Sequence, residues 1–428
     1  MIIHVVQPGE TVNSISAFYN IPAERLIQTN GINNPENLAI GQAIAIIFPE
    51  TLYTVQAGDT MGSIAEKHGI SLLELLRNNP YLSGREYIYT GETLVINYQK
   101  KKIRKITTSG YAFTHINLNT LRESLPFLSY LTIFNYKISI NGELVGDDDS
   151  KMIQMAKEYG VAPMMFVSTL TSDGKSNTEV FYSLIHNPEV QVRVINTILH
   201  ILHTKGYYGV NIYIEYINLE NIDIIADNIK KAADIFHSEG FKVSVTVSPK
   251  VNIESHGVSF DKIDYSKFAA YVDSVVFTSY EWGMTYSYTS SVTPVIILKE
   301  LLNYAISIIP PEKIIIGIIP IGYDWLLPYV PGFSIANAVT SDSAIQLAAD
   351  SSIPIQYNEQ AQAPYFFYVN FNQEFYLLWF KDARSFNAIA DLLSEYGLKG
   401  LAIWTIMDFN TQLWFVLNTE YEIERVQL

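Results

Sequence analysis

The chain contains no cysteine, few charged residues and no long uninterrupted apolar run. Without cysteine it has no disulfide bonds and no thiol chemistry. Its 28 basic residues are outnumbered by 43 acidic ones, so it lacks the excess of clustered cations that a nucleic-acid partner requires. No apolar stretch reaches the roughly 18 residues of a membrane-spanning helix. We therefore expect neither a nucleic-acid partner nor a membrane span.

Several signatures of enzyme chemistry are also missing. The sequence has no phosphate-binding glycine loop, no nucleophile elbow and no dinucleotide fingerprint, so we expect no cofactor. His200 and His203 have helical spacing but no third ligand nearby in the sequence, which predicts no metal site. The run Asp147–Asp149 lacks calcium-loop spacing and predicts a helix cap instead. The N-terminus has no basic start followed by an apolar stretch, so a secretory signal is not expected.

Hydrophobic and aromatic residues are abundant. They make up 48% and 13% of the chain, with 29 tyrosines, which is enough to build a large core. Tyrosine and tryptophan combine a flat apolar face with a polar edge, which suits sugar rings as well as protein interiors. For any single aromatic residue, packing is the simpler interpretation.

The first 97 residues contain a duplication. The segment Val6–Thr11 recurs as Val55–Thr60, and Asn30 recurs as Asn79, at one constant offset. Such long self-similarity indicates a true internal repeat. Each copy predicts a strand, a turn with a helix N-cap, two helices and a closing strand. The repeats are predicted to span residues 1–48 and 51–97.

Both copies resemble the LysM family, whose signature is a Gly-Asp/Glu-Thr turn, a central Asn and a late Gly-Gln/Glu pair. The resemblance implies binding to N-acetylglucosamine in peptidoglycan or chitin. The alternative is a small interaction module that binds no sugar. The candidate glycan contacts are the residues at signature positions, namely Gly9, Thr11, Asn30, Gly58, Thr60 and Asn79.

Residues 98–106 are polar and basic and predict a solvated linker. From Thr107 to the end, β-rich and helical segments alternate, which indicates an α/β fold with a parallel sheet. Eight strands in this length fit a (β/α)8 barrel, and β-like runs near 333–382 predict a small α+β insertion beside the cleft. The predicted barrel strands are Thr108–Phe113, Tyr130–Tyr136, Val161–Ser168, Val210–Tyr216, Lys242–Ser248, Ser274–Tyr280, Lys313–Pro320 and Gly400–Ile406.

The fourth predicted strand carries the main catalytic candidate. Its residues alternate, so Asn211, Tyr213 and Glu215 share the face that points into the barrel. Glu215 comes at the C-terminal end of the strand, where barrel active sites lie. A carboxylate there is costly unless it is paired or used in chemistry. A Glu satisfied by a buried partner is the alternative.

Further motifs make the barrel resemble glycoside hydrolase family 18, including its spore cortex-lytic N-acetylglucosaminidases. The matching segments are Thr278–Gly283, Gly322–Pro328 and Ala361–Phe366, together with Trp404. The resemblance covers essentially the whole chain in the same domain order. It implies substrate contacts at Asn211, Tyr213, Tyr280, Glu281, Trp282, Asp324 and Trp404.

In this family hydrolysis is substrate-assisted, because an acidic Glu protonates the glycosidic oxygen while the acetamido carbonyl of the substrate attacks the anomeric carbon. The family signature Asp-x-x-Asp-x-Asp-x-Glu maps onto Tyr208, Asn211, Tyr213 and Glu215. Only the acid is retained. Tyr213 replaces the Asp that orients the acetamido group, and by analogy with the loss of one transition-state hydrogen-bonding group this lowers the rate by about 10²–10³.

Two functions follow from these resemblances. The first is a weak N-acetylglucosaminidase of spore peptidoglycan, with Glu215 as acid and base. The second is a catalytically inactive relative that binds glycan in the spore coat or cortex. Either protein is expected to be made in the cytoplasm without a signal peptide, and to have peptidoglycan as its partner.

Overall fold

A computed structural model describes residues 1–85, 87–170, 177–249, 251–254, 257–278, 294–330 and 333–428. These residues form two small N-terminal repeats, a closed barrel and a sheet inserted into the barrel. None of the helices within these ranges is long and apolar enough to cross a membrane.

Each repeat pairs its first and last strands in an antiparallel ribbon and packs two helices against it. Local chemistry explains where the first helix of each copy begins. The Thr11 side chain accepts a hydrogen bond from the backbone N–H of Ser14, and the Ser14 side chain accepts one from the backbone N–H of Thr11. Thr60 and Ser63 make the same pair of bonds in the second repeat. The elements are Ile2–Val5, Val12–Tyr19, Ala23–Asn30 and Ala43–Ile46, then Pro49–Thr54, Met61–Lys67, Leu72–Asn78, Pro80–Leu82 and Thr93–Tyr98.

The first repeat is docked on the barrel and on its insertion. The side chain of Gln412 donates to Asn30 Oδ1 at 3.2 Å and to the carbonyl of Ala43 at 2.9 Å. The backbone N–H of Ile355 donates to the carbonyl of Ile40 at 2.8 Å. Asn33 donates to Asp342 at 2.9 Å. These contacts fix the repeat to two separate parts of the barrel domain.

Gly41 and Gly91 occupy equivalent positions in the two repeats and provide a matched test of this docking. Both have left-handed backbones, with φ of +83° and +94°, so an alanine strains each to a similar degree. A Cβ on Gly41 would lie 2.1 Å from the Ile355 carbonyl, whereas a Cβ on Gly91 meets nothing within 4 Å. We expect Gly41→Ala to lower the free energy of unfolding by about 1–3 kcal/mol more than Gly91→Ala, as urea titration would measure. Equal losses would contradict the docked arrangement.

The basic segment between the repeats and the barrel keeps most of its side chains exposed, and several of them also contact the C-terminal helices. Lys100 pairs with the buried Glu420, and Lys102 donates to Asn418 at 3.2 Å. Arg104 donates to the carbonyls of Leu393 and Leu398. Burial lowers the pKa of Lys102 to about 8. The cations pack against the C-terminal helices because these helices offer a carboxylate, an amide oxygen and carbonyls near a helix end.

Eight parallel strands close into a barrel, as predicted. The eighth strand pairs with the first from Gly400↔Thr107 to Trp404↔Tyr111, and the first pairs with the second from Ser109↔Tyr130 to Phe113↔Phe134. The strands are Lys105–Phe113, Tyr130–Ile138, Ala162–Ser168, Gly209–Ile214, Lys242–Val247, Ser274–Thr278, Ile314–Ile318 and Gly400–Trp404.

Helices surround the barrel because the outward-facing strand residues are apolar and need cover. A continuous hydrophobic core joins strands and helices, with Phe236, Phe268 and Leu302 fully buried. The short strand Glu422–Ile423 extends the sheet beside the first barrel strand. The described helices are Leu118–Ser124, Leu125–Phe127, Ser150–Glu158, Thr178–His186, Pro188–Lys205, Ile222–Ser238, Ser266–Ala269, Val295–Ile308, Pro311–Lys313, Ser341–Asp350, Ala383–Glu395 and Thr411–Glu420.

Two hairpins and one larger sheet leave the barrel. Leu144–Val145 pairs with the end of the second strand, and Val251–Glu254 pairs with Gly257–Phe260. Between barrel strands seven and eight lies a five-stranded antiparallel sheet, which we call the insertion sheet. It starts at Gly322, earlier than the sequence predicts. Its strands in spatial order are Asn337–Val339, Gly322–Leu327, Phe375–Trp379, Ala363–Val369 and Gln356–Asn358.

Candidate functional site

Glu215 lies at the C-terminal mouth of the barrel, directly after the fourth strand. Its side chain is partly buried, and Thr169 Oγ1 donates to Glu215 Oε2 at 3.2 Å. Glu215 Oε1 is buried and has no hydrogen-bond partner among the described residues. Thr169 follows the third barrel strand and was not anticipated from the sequence, where only its place after an apolar run marks it. A carboxyl group at the barrel mouth with one oxygen held by a hydroxyl donor is suited to proton transfer to a bound ligand.

Asn211 lies deeper in the barrel than Glu215, on the fourth strand, and is buried in a polar network at the centre of the barrel. Its amide nitrogen donates to Ser244 Oγ at 2.7 Å, and its amide oxygen accepts from Thr246 Oγ1 at 2.9 Å. Thr246 Oγ1 also lies 3.1 Å from the hydroxyl of Tyr111. The amide is 1% exposed, so Asn211 holds the barrel core together. Both ends of its amide are engaged by these internal hydrogen bonds, and substrate contact at Asn211 stays a prediction.

Above this network the barrel interior is filled by rings from five strands, which we call the aromatic cluster: Tyr111, Phe134, Phe166, Tyr213 and Trp404. The ring centroids of Phe134 and Phe166 are 4.6 Å apart, and those of Phe134 and Trp404 are 5.2 Å apart. Such distances are those of packed aromatic pairs. Phe134 and Phe166 were not predicted as site residues, although both occupy inward positions near strand ends.

Tyr213 belongs to this cluster and is 7% exposed. Its ring stacks on Phe166 with centroids 5.9 Å apart and planes 26° from parallel. Tyr213 and Glu215 therefore share the inner face of one strand, as the alternation predicts. The phenol ring therefore takes up space in the barrel interior, on the strand that Glu215 follows.

Trp404 joins the aromatic cluster to the insertion sheet. Its ring lies 5.4 Å from that of Tyr111, and the side chain also packs against the apolar group that contains Tyr323, Trp325 and Trp379. Trp404 therefore lies at the junction of the barrel mouth and the insertion, as a cleft residue should. Tyr280, Glu281 and Trp282, the other predicted contacts on this side, lie outside the described residues.

Asp324 points away from that junction. In the insertion sheet Tyr323 pairs with Trp379, whereas Asp324 pairs with Leu378, so the two neighbours face opposite sides. On its side Asp324 accepts a hydrogen bond from the Tyr368 hydroxyl at 2.6 Å, and burial raises the pKa of the carboxyl group. Strand alternation places Asp324 on the face that packs against the insertion helix, and substrate contact at Asp324 stays a prediction.

In the repeats, the central asparagines are structural. Asn30 donates to the carbonyls of Leu26 and Ala45 and accepts from the Ala45 N–H. Asn79 makes the equivalent bonds in the second repeat and is fully buried. Both amides fix the second helix to the last strand, and glycan contact at Asn30 and Asn79 stays a prediction.

The turn residues of the repeats remain available to a ligand. Gly9 and Gly58 have φ of +83° and +90°, and a Cβ on either meets nothing within 4 Å. Thr11 and Thr60 cap helices at the surface. Glycan contact at these four residues stays a prediction. Within the described residues no group of three or more His, Asp or Glu side chains is placed to hold a metal ion.

Comparisons with known proteins match this architecture. Residues 88–408 match glycosyl hydrolases family 18, and residues 4–46 and 53–97 match the LysM domain. The cortical fragment-lytic enzyme of Bacillus subtilis (strain 168) is 30% identical over 99% of both chains. The crystal structures of the spore cortex-lytic enzyme SleL from Bacillus megaterium QM B1551 and Bacillus cereus have TM-scores of 0.81 and 0.80, with 29% and 28% identity, and each match covers 99% of both chains. The chain therefore belongs to glycosyl hydrolases family 18 and carries two LysM domains ahead of the barrel.

Proposed function

We propose that the protein binds peptidoglycan of the spore cortex and slowly hydrolyses its N-acetylglucosaminyl bonds. The observation that carries this proposal is Glu215, a carboxyl group at the C-terminal mouth of the barrel whose Oε2 accepts a hydrogen bond from Thr169. The relatives named for activity on cortex or its fragments match over the full chain, which supports cortex glycan as the substrate class and the spore as the location.

In the proposed reaction Glu215 donates its proton to the glycosidic oxygen as the bond to the anomeric carbon breaks. The carbonyl oxygen of the substrate's own acetamido group attacks that carbon and forms an oxazolinium ion. Glu215 then removes a proton from an incoming water molecule as the water oxygen attacks the anomeric carbon and opens the oxazolinium ring. The family's Asp would orient the acetamido N–H, and Tyr213 supplies no negative charge in its place, so the step is slow.

A matched pair of substitutions tests the role of Glu215. We expect Glu215→Gln in the full-length protein to reduce the release of reducing ends from purified cortex fragments to background, since loss of general acid catalysis costs about 10²–10⁴ in rate. Glu220→Gln changes an exposed carboxylate five residues further on and should leave the rate unchanged. Unaltered release by Glu215→Gln would remove Glu215 from the mechanism.

The aromatic cluster favours a second candidate, a glycan-binding protein without turnover. Tyr213, Phe166 and Trp404 fill the barrel interior where a sugar ring would have to enter. In that case the native protein releases no reducing ends, but insoluble peptidoglycan still pulls it down and soluble N-acetylglucosamine oligomers compete. If the protein neither releases reducing ends nor binds insoluble peptidoglycan, both candidates are excluded.

A further inference from the structure

An apolar cavity of about 100 Å³ lies outside the barrel wall, between the third and fourth strands and the helices that cover them. These helices are Thr178–His186, Pro188–Lys205 and Ile222–Ser238. Eight of the described residues that line the cavity are isoleucines, and Glu215 is not among the lining residues. The cavity is therefore separate from the candidate catalytic site, although Thr169, which donates to Glu215, also lines it.

Ile212 shows that the space behind the fourth strand is not filled. Its side chain points outward, toward the helices, because Tyr213 beside it points into the barrel. The strand is paired with its neighbours on both sides at this position. Even so, Ile212 is only partly buried, whereas Val210 and Ile214 on the same outer face are 0% and 4% exposed. Because protein interiors are close-packed, an interior residue that keeps exposed surface has a void against it.

The polar groups around the cavity are held by the protein or turned to solvent. The amides of Gln191 and Asn228 both donate to the carbonyl of Ile185, at 3.0 and 3.1 Å. The Ser168 hydroxyl oxygen has essentially no exposed surface. Lys231, the one charged residue among the described residues of the lining, is exposed to solvent and marks the rim. A buried water needs about two to four polar partners, so a cavity of this kind stays dry.

The size and the lining of the cavity together define its occupant. Apolar cavities of about 150 Å³ in other proteins stay dry and bind benzene or xenon. A space of about 100 Å³ therefore accepts no more than one aromatic ring or a short alkyl chain. A cation is disfavoured, because it meets Lys231 at the rim and finds no carboxylate among the described residues of the lining.

We propose that this cavity is a binding site for one small, uncharged apolar molecule, of the class of single aromatic rings and short alkyl chains. The occupant contacts Ile212 and the helix Pro188–Lys205, and burial of its apolar surface supplies the free energy of binding. It also lies against Thr169, one side chain away from Glu215. The inference goes beyond the proposed function, because the cavity is on the outer side of the barrel wall and takes no glycan.

A matched pair of ligands tests the site. The experiment is methyl NMR of the full-length protein labelled with ¹³C at the isoleucine δ1 methyl groups, with the Ile212 resonance assigned from Ile212→Val. Toluene should shift this resonance in a saturable way. N-methylpyridinium has the same shape but a permanent positive charge, so it should not shift the resonance at the same concentration. The proposal fails if toluene produces no saturable shift, or if both molecules shift the resonance equally.

A matched pair of valines on one helix provides the protein control. Val194→Phe places a ring in the cavity and should weaken the toluene affinity read at Ile212 about tenfold or more, since the two rings compete for one space. Val192→Phe makes the same change at a position that is 59% exposed and outside the lining, and should leave the affinity unchanged. Ala232→Leu fills the cavity from another helix and replaces Val194→Phe if circular dichroism shows that variant to be unfolded. Native toluene affinity in a folded variant with a filled cavity would overturn the proposal.

Discussion

A Tyr213→Asp variant is expected to release reducing ends from cortex fragments about 10²–10³ times faster than the native protein. The substitution has two effects at one position. It removes the ring that stacks on Phe166 beside Glu215, and it introduces a carboxylate two residues before the acid on the same inner face. That carboxylate can accept the acetamido N–H and stabilise the oxazolinium charge that a phenol cannot.

Two further variants separate the effect of opening space at position 213 from the effect of adding a negative charge there. Tyr213→Phe keeps the ring and should leave the native rate unchanged, whereas Tyr213→Ala opens the space without adding charge and should recover only part of the gain. The measurement is reducing-end release at matched protein concentration, after circular dichroism has confirmed that each variant is folded. No gain from Tyr213→Asp, with binding to cortex retained, would mean that Phe134 and Phe166 also exclude the sugar.

The repeats and the barrel strands could be predicted because their signals are local. Period-two alternation in segments such as Gly209–Ile214, and a six-residue motif repeated at Val6 and Val55, need no knowledge of distant residues. The left-handed turn glycines and the threonine caps are of the same kind. For this reason the fold class and the order of modules are confirmed.

The aromatic cluster could not be predicted because it depends on registers between strands. Phe134, Phe166 and Tyr213 are separated along the sequence and meet only when three parallel strands align. Each of them is also an ordinary strand residue when considered alone. A family motif identified the missing Asp at Tyr213, but it gave no sign that neighbouring rings close around that position.

A motif match does not reveal which way a side chain points. Asn30 and Asn79 lie at signature positions of the repeats because they join a helix to a strand. Asp324 lies in a matching segment, but on the outer face of the insertion sheet. The contacts of the predicted linker could not be seen for a related reason, since Lys100 and Lys102 meet partners that are more than 300 residues away in the sequence.

Asp149 provides the largest expected effect on stability. The sequence predicts that the run Asp147–Asp149 caps a helix; Asp148 accepts from the backbone N–H of Ser150, where the helix begins, whereas Asp149 lies at the N-cap position without a side-chain cap bond. Its fully buried carboxylate instead pairs with Lys205 at 2.7 Å and accepts from the hydroxyls of Tyr207 and Tyr136 at 2.6 and 2.9 Å. Burial raises the pKa of Asp149, but the hydrogen bonds from Lys205, the two tyrosines and Asn135 outweigh it and hold the pKa below its ordinary value.

We expect Asp149→Asn to lower the free energy of unfolding by about 3–5 kcal/mol. The substitution leaves Lys205 without its carboxylate partner, and it replaces a carboxylate oxygen that accepts hydrogen bonds with an amide NH₂ group that can only donate them. Asp148→Asn makes the same change at an exposed neighbour and should cost no more than about 0.5 kcal/mol. A carboxyl group whose pKa is lowered by folding stabilises the fold at pH values above its unfolded pKa of about 3.9. This stabilisation is lost as the pH falls through the folded pKa. The difference in the free energy of unfolding between the native and Asp149→Asn proteins, measured by urea titration, should therefore be largest at pH 7 and should shrink below about pH 4. A gap that is absent at pH 7 would show that the cluster does not hold the second barrel strand and its following helix in place.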